Sequence, residues 1–213
     1  MDEMLLVIGN KNYSSWSLRA WLFLKHLGLP FRELVLPMDT PQFRSEIGRH
    51  SPTRRVPVLI DGSQRIWESI SICEYAIEKA CGRGLPSGET ARSTARSVAA
   101  EMHAGFMAIR SAYGMDVRAR GKTAVSTPEL RSSIERLDQL WTACRSEFGA
   151  GGPWLCGEYC IADAMFAPMV LRFNTYTSDG LGEASRTYMK QTLSDLHLQS
   201  WMEEAAAEPW TLS

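Results

Sequence analysis

The sequence predicts two domains of different class: an α/β domain with the order βαβαββα, followed by an all-α C-terminal helical domain. Short apolar runs alternate with helical patterns over residues 4–80. A Gly- and Pro-rich stretch interrupts them at 82–90, and every later pattern has helical spacing. We therefore expect a first domain at 1–81, a linker at 82–90 and a second domain at 91–213.

The first elements are bounded by turn and capping residues. Met4–Ile8 is a short apolar run closed by a Gly-Asn pair, which predicts a buried strand. Ser14 and Ser15 are favourable caps for the helix that follows, and Gly28 with a nearby proline ends it. Apolar residues at 31–36 predict the second strand.

The remaining N-terminal elements include a hairpin. Residues 41–47 predict a short helix and 56–60 a third strand, which an Asp-Gly turn connects to a return strand at 64–67. A serine then begins a helix over 69–80. The two crossover helices predict parallel strand pairing, whereas the turn predicts one antiparallel pair.

The second half has only helical patterns. Residues 91–113 carry an apolar stripe that predicts one continuous helix. Thr127 and Pro128 are an N-cap and first-position proline for the next helix. Residues 162–173 are apolar on nearly all sides, which predicts a central buried helix, and 185–207 supply the final helices.

Composition excludes several classes of function. The formal net charge is −1, which gives no basic surface for nucleic acid. The five cysteines are an odd number and none has zinc-ribbon spacing, so we expect free thiols, a reducing compartment and no metal. No apolar run approaches the roughly 20 residues of a membrane span. The start Met1-Asp2-Glu3 lacks the cationic segment of a signal peptide, so we expect a cytoplasmic protein without membrane contact.

Four segments, in this order, resemble motifs of the cytosolic glutathione S-transferase family. Residues 13–19 (Tyr-Ser-Ser-Trp-Ser-Leu-Arg) resemble the active-site segment of serine-type enzymes, and of the zeta class in particular. Residues 55–59 (Arg-Val-Pro-Val-Leu) and 68–69 (Glu-Ser) resemble two glutathione-binding segments. Residues 157–163 (Gly-Glu-Tyr-Cys-Ile-Ala-Asp) resemble a motif of the helical domain, in which the aspartate is structural. The resemblance covers essentially the whole chain and implies a thioredoxin-like fold for the first domain.

The resemblance implies that glutathione is the cosubstrate and that a serine hydroxyl stabilises its thiolate. Hydroxyl donation and the N-terminus of a helix both favour a thiolate. Alignment of the Ser-Ser pair favours Ser14, with Ser15 as the alternative. From the residues alone, both serines are equally well explained as plain helix caps.

The same resemblance assigns roles to the other glutathione-binding residues. A cis peptide at Val56–Pro57 directs the backbone of Val56 toward the cysteinyl part of glutathione. Ser69 at a helix start receives the γ-glutamyl carboxylate, and Glu68 pairs with the γ-glutamyl ammonium. Arg55 lies beside the glycyl carboxylate or points to solvent. As alternatives, Pro57 is an ordinary edge-strand proline and Ser69 an ordinary cap.

A second-substrate pocket is expected on the first helix of the helical domain. His103, Met107 and Arg110 are spaced i, i+4 and i+7, so they share a face if that helix is continuous. A histidine and an arginine there favour a substrate with an anionic or carbonyl group, although an interdomain histidine and a salt-bridged arginine explain them as well. Trp16 replaces a cysteine of the zeta class, covers the ligand or packs between the domains, and argues against zeta-type isomerase activity.

The resemblance implies a glutathione transferase acting on small electrophiles by conjugation, isomerisation or peroxide reduction. The alternative is a non-catalytic binding or scaffold protein with the same fold. A homodimer is also implied, with the last helix of the first domain and the first helix of the second as candidate surfaces.

Overall fold

The computed structural model describes residues 3–212, and the predicted architecture is confirmed in that range. A mixed four-stranded sheet with its helices forms a thioredoxin-like N-terminal domain, and the C-terminal domain is helical. Met1, Asp2 and Ser213 lie outside the described residues. The prediction that the start lacks a signal peptide depends partly on Met1 and Asp2.

The elements follow one another as expected in the N-terminal domain. The strands are β1 Met4–Ile8, β2 Phe31–Val35, β3 Val58–Asp61 and β4 Gln64–Trp67. The helices of this domain are α1 Ser15–His26, α2 Pro41–His50 and α3 Ser69–Lys79. The helical domain has α4 Glu89–Ala104, α5 Met107–Ala112, α6 Pro128–Phe148, α7 Ile161–Thr175, α8 Glu183–Leu193 and α9 Leu196–Ala207, with a 3-10 turn at Gly149–Gly151.

The strand order in the sheet is β2-β1-β3-β4. β1 and β2 are parallel and β3 and β4 antiparallel, as expected. The expectation of a second parallel pair is wrong, because β3 runs antiparallel to β1. β3 therefore begins at the end of the sheet at which β2 finishes, and helix α2 with the loop at 51–57 connects the two strands. β3 also begins two residues later than expected, since Pro57 has no N–H for a strand ladder.

Helix α7 forms the centre of the helical domain, as its apolar sequence predicted. Its start is fixed by Asp163, whose buried carboxylate accepts hydrogen bonds from the backbone N–H of Leu155 at 3.0 Å and of Cys160 at 2.9 Å. These two contacts support the structural role that the resemblance implies for Asp163. No helix in the described range is long and apolar enough to cross a membrane.

The expected continuous helix over 91–113 is wrong. Gly105 ends α4, and a side chain there would lie 2.8 Å from the carbonyl of Glu101. Phe106 then adopts a left-handed backbone with φ of 58° before α5 starts. This conformation buries the Phe106 ring against Phe166, with ring centroids 6.1 Å apart. His103 therefore lies on one helix, and Arg110 on another.

Candidate functional site

A cleft of about 370 Å³ lies between the N-terminal domain and helices α4 and α5. Its N-terminal wall comes from the loop before β3 and the start of α3, and its other wall comes from the helical domain. The lining residues are Trp16, Thr53, Arg55, Val56, Pro57, Glu68, Ser69, His103, Ala104 and Arg110.

The N-terminal wall presents unused polar groups. The Val56–Pro57 peptide is cis, as the resemblance implied. The backbone N–H of Val56 donates to no other described residue. Ser69 is the first residue of α3, and its buried hydroxyl has no hydrogen-bond partner within residues 3–212. A buried hydroxyl at a helix N-terminus, where N–H groups are free, suits a carboxylate ligand.

Glu68 and His103 face each other across the cleft. Glu68 precedes α3 with φ of 66°, and its Oε2 lies 3.7 Å from Nε2 of His103. Burial lowers the pKa of His103 from its usual value, and the charges of Arg19 and Arg110 lower it further, whereas Glu68 raises it. The imidazole is therefore mostly neutral at pH 7.

The two serines of the active-site segment are both buried, and neither lines the cleft directly. The Ser14 hydroxyl donates to Oγ of Ser17 at 2.7 Å and accepts from the backbone N–H of Ser17 at 3.3 Å. Ser14 is thus the N-cap of α1. The Oγ of Ser15 accepts from Nη2 of Arg172 at 3.4 Å, which leaves the hydroxyl proton of Ser15 without an acceptor among the described residues.

Trp16 lies at the junction of the two walls. The guanidinium carbon of Arg19 is 4.1 Å from the centre of the Trp16 ring, and that of Arg110 is 4.5 Å from it. The His103 ring meets Trp16 edge-on, with centroids 5.3 Å apart. The indole therefore packs between the domains and borders the cleft, whereas its expected contact with a bound ligand stays a prediction.

The structure brings most of the predicted site residues to the cleft: Trp16, Arg55, Val56, Pro57, Glu68, Ser69, His103 and Arg110. Met107 does not join them. Its side chain is largely exposed because the break before α5 turns it away from the face that carries His103. The expected shared face of His103, Met107 and Arg110 is therefore wrong.

Sequence reasoning missed four residues in or behind the cleft: Thr53, Ala104, Arg19 and Arg172. Arg19 belongs to the segment 13–19, and its position one helical turn after Ser15 signals a side chain near the cleft. Arg172 ends an apolar helix, where a lone cation is a signal of a specific partner.

Residues 13–79 match the sequence model of a family described as "Glutathione S-transferase, N-terminal domain". This range contains the serine segment, the cis-proline and the start of α3. Over these residues the chain is similar to the N-terminal domain of glutathione S-transferases.

Two curated proteins that match part of the chain are dichloromethane dehalogenases. The protein of Methylorubrum extorquens is 36% identical over 70 residues, which is 30% of this chain and 23% of that protein. The protein of Methylophilus leisingeri is 37% identical over 62 residues, 27% of this chain and 22% of that protein. The chain thus matches less than a quarter of the length of these relatives.

Solved glutathione transferase structures resemble the whole chain. A homolog from Burkholderia with bound glutathione superposes with a TM-score of 0.71 at 23% identity, over 97% of this chain and 100% of that one. Glutathione transferase F2 from Populus trichocarpa gives a TM-score of 0.73 at 16% identity, over 96% and 100%. At these identities the likeness shows the fold, which the whole chain shares with glutathione transferases.

Proposed function

We propose that the protein is a glutathione transferase, which binds glutathione in the cleft and uses its thiolate to attack small electrophiles. The observation that carries the proposal is the unpartnered, buried hydroxyl of Ser69 at the start of α3, opposite the cis Val56–Pro57 peptide. Ser69 offers an anion site, and the backbone N–H of Val56 is a donor beside it. A γ-glutamyl-cysteinyl peptide can use the first for its γ-glutamyl carboxylate and the second for its cysteinyl backbone.

Glutathione fits the charges along this wall. Its γ-glutamyl carboxylate is bound by Ser69, and its ammonium by Glu68. The backbone of Val56 pairs with the cysteinyl residue, and exposed Arg55 lies within reach of the glycyl carboxylate. Glutathione is a cosubstrate here, and the residue set offers no cluster of three metal-ligating side chains among residues 3–212.

We assign the thiolate-stabilising role to Ser15 rather than Ser14. The Ser14 proton is used within the α1 cap, whereas the Ser15 proton has no acceptor among residues 3–212. Arg172 donates to the Ser15 oxygen, which strengthens the hydroxyl as a donor. A free thiol has a pKa of about 8.5, and lowering it by two units takes about 2.7 kcal/mol. A hydrogen bond to the charged sulfur and the N-terminus of α1 together supply energies of this size.

Calorimetric titration with glutathione tests the binding step. Ser69→Ala is expected to weaken binding about tenfold, because a hydrogen bond to a charged group is worth about 1.5 kcal/mol or more. Ser71→Ala, on the exposed face of the same helix, is the matched control and leaves affinity unchanged. Equal affinity in wild type and Ser69→Ala contradicts the assigned site.

Ultraviolet titration of bound glutathione tests the thiolate step. Ser15→Ala is expected to raise the pKa of the bound thiol by about one unit, the value of one moderate hydrogen bond. Ser14→Ala is expected to lower protein stability through the lost cap, by about 1 kcal/mol, without shifting the thiol pKa. The reverse pattern returns the role to Ser14.

The reaction type is also open to test. The names of the two curated relatives favour haloalkanes as substrates. In that reaction the thiolate sulfur of glutathione bonds to the carbon that bears chlorine, the carbon–chlorine bond breaks, and chloride leaves. A panel of dichloromethane, halogenated nitrobenzenes, peroxides and α,β-unsaturated acids separates conjugation, reduction and isomerisation. If none reacts while glutathione binds, the chain is a non-catalytic binding protein with this fold.

We further propose a cytoplasmic homodimer that pairs through α3 and α4. The free cysteines of the described range support a reducing compartment. Sedimentation at micromolar concentration is expected to give twice the mass of 23.8 kDa. A single species at the monomer mass contradicts the dimer.

A further inference from the structure

Three guanidinium groups gather beside the cleft, and none has a carboxylate partner within residues 3–212. Arg19 and Arg110 both lie against the Trp16 ring, at 4.1 Å and 4.5 Å from its centre. Arg172 reaches the same place from α7, with its Nη1 3.1 Å from the backbone carbonyl of Arg110. Among the described residues, no Asp or Glu oxygen lies within 4.0 Å of any of the three side chains. We call these three residues the arginine cluster.

Arg19 is the most deeply buried member of the arginine cluster. It is 1% exposed, its Nε donates to the carbonyl of Met165 at 2.9 Å, and its Nη1 has no partner within residues 3–212. Burial and the neighbouring charges of Arg110 and Arg172 lower the pKa of Arg19 to about 9. Burial and Arg110 lower that of Arg172 to about 10. All three groups thus remain largely charged at neutral pH, and no anion of the described residues compensates them.

An uncompensated group of buried cations attracts an anion from outside. Arg110 is the member that reaches the cleft, next to His103 and Ala104. We propose that Arg110, supported by Arg19 and Arg172, binds a carboxylate group of the second substrate. This proposal deepens the proposed function. The reaction of the bound substrate depends on glutathione transferase activity, whereas the binding of the anion does not.

The position of the arginine cluster favours the second substrate over glutathione itself. The carboxylates of glutathione already have Ser69 and Arg55 on the N-terminal wall, whereas Arg110 belongs to the opposite wall. His103 is mostly neutral, so the guanidinium is the strongest cation on its wall. A guanidinium matches the planar, two-oxygen geometry of a carboxylate, which makes that group a better fit than a halide or an uncharged carbonyl.

A pair of electrophiles that differ only in this group tests the proposal. In 4-chloro-3-nitrobenzoate and 4-chloro-3-nitrobenzamide, the glutathione sulfur bonds to the ring carbon, chloride leaves and the thiol proton passes to solvent. Each kcat/KM is divided by the uncatalysed rate constant of the same probe, which removes the difference in their intrinsic reactivity. This normalised value is expected to be about tenfold higher for the benzoate, because one charge-assisted contact is worth about that factor. Arg110→Gln is expected to abolish this preference. Arg32→Gln, which removes an exposed arginine on β2, is the matched control and retains it.

Other outcomes overturn the proposal. Equal normalised rates for the two probes, or an equal loss for both in Arg110→Gln, contradict an anion site. If Arg110→Gln weakens binding of S-methylglutathione as strongly as it lowers the benzoate rate, the bound carboxylate is that of glutathione.

The proposed function can fail separately. If calorimetry shows no glutathione binding, quenching of tryptophan fluorescence by the benzoate probe, and not by the amide, still supports the anion site. Loss of that quenching in Arg110→Gln is then the expected result, and its persistence contradicts the site.

Discussion

Two buried cations pack on tryptophan rings where the domains meet, and their surroundings differ. Lys11 lies 5.1 Å from the centres of both Trp21 and Trp201. Its ammonium pairs with Glu33 at 2.7 Å and with Glu204, so β2 and α9 are joined through one charge. Arg19 lies on Trp16 with two more arginines near it, and no carboxylate in the described part of the chain pairs with it.

The difference separates a structural cation from one that serves a ligand. Around Lys11 every charge has a partner, and the indole N–H groups of Trp21 and Trp201 complete the hydrogen bonding at 2.6 Å and 2.9 Å. Around Arg19 the positive charges of the arginine cluster are not neutralised by any carboxylate of residues 3–212, and they lie beside a cleft. Burial of an unpaired charge destabilises a fold, so its retention next to the proposed glutathione site favours a role in binding.

The largest expected effect on stability is at Lys11. Lys11→Met leaves Glu33 and Glu204 without their cation and is expected to lower the free energy of unfolding by about 2 kcal/mol, less than for a fully buried pair because both carboxylates reach water. Chemical denaturation measures this value. Lys25→Met is the matched control: Lys25 also lies on Trp21 but has no carboxylate partner in the described range, so a loss below about 1 kcal/mol is expected.

The opposite sign is expected at Arg19. Arg19→Met replaces an unpaired buried charge with an apolar chain of similar length, so the free energy of unfolding is expected to stay constant or to rise by about 1 kcal/mol. The same denaturation series provides the measurement. A loss as large as that of Lys11→Met would show that Arg19 is structural and would remove the contrast between the two regions.

The smallest expected effect is a pH dependence from His103. Its folded-state pKa lies below the ordinary value of 6.5, so near pH 6 the unfolded chain binds more protons than the folded one. The contribution of His103 to stability is therefore present above pH 6.5 and declines as the pH falls through its unfolded value toward its folded one. His103→Gln is expected to flatten this part of the stability profile. If the stability of the variant falls with acid pH as that of the wild type does, a lowered pKa of the half-buried His103 is contradicted.

The N-terminal wall of the site was predicted from the resemblance of residues 55–59 and 68–69 to family motifs, and local signals agree with that prediction. Pro57 directly precedes a strand and Ser69 starts a helix, as the local pattern indicates, whereas the cis peptide was implied by the resemblance alone. The antiparallel direction of β3 was not predictable in this way, since a crossover helix does not specify on which end of the sheet the chain re-enters.

The helical wall was predicted less well because tertiary packing decides it. The apolar stripe through residue 106 fits one long helix, yet burial of Phe106 against Phe166 takes precedence over helix continuity. Met107 was consequently placed on the wrong face. Arg19 and Arg172 were missed because their neighbourhood depends on contacts between residues distant in sequence, such as the 3.4 Å contact from Arg172 to Ser15.

The loop that leads into α1 is held from far along the chain. The backbone N–H groups of Lys11 and Asn12 donate to the carboxylate of Glu208 at 2.6 Å and 3.1 Å. Glu208 lies 196 residues after Asn12, so a ribosome has almost finished residues 3–212 before this contact can form. The serine segment is thus synthesised long before the residue that fixes it in place, and a nascent chain that stalls within α9 would carry the N-terminal wall of the cleft without this restraint.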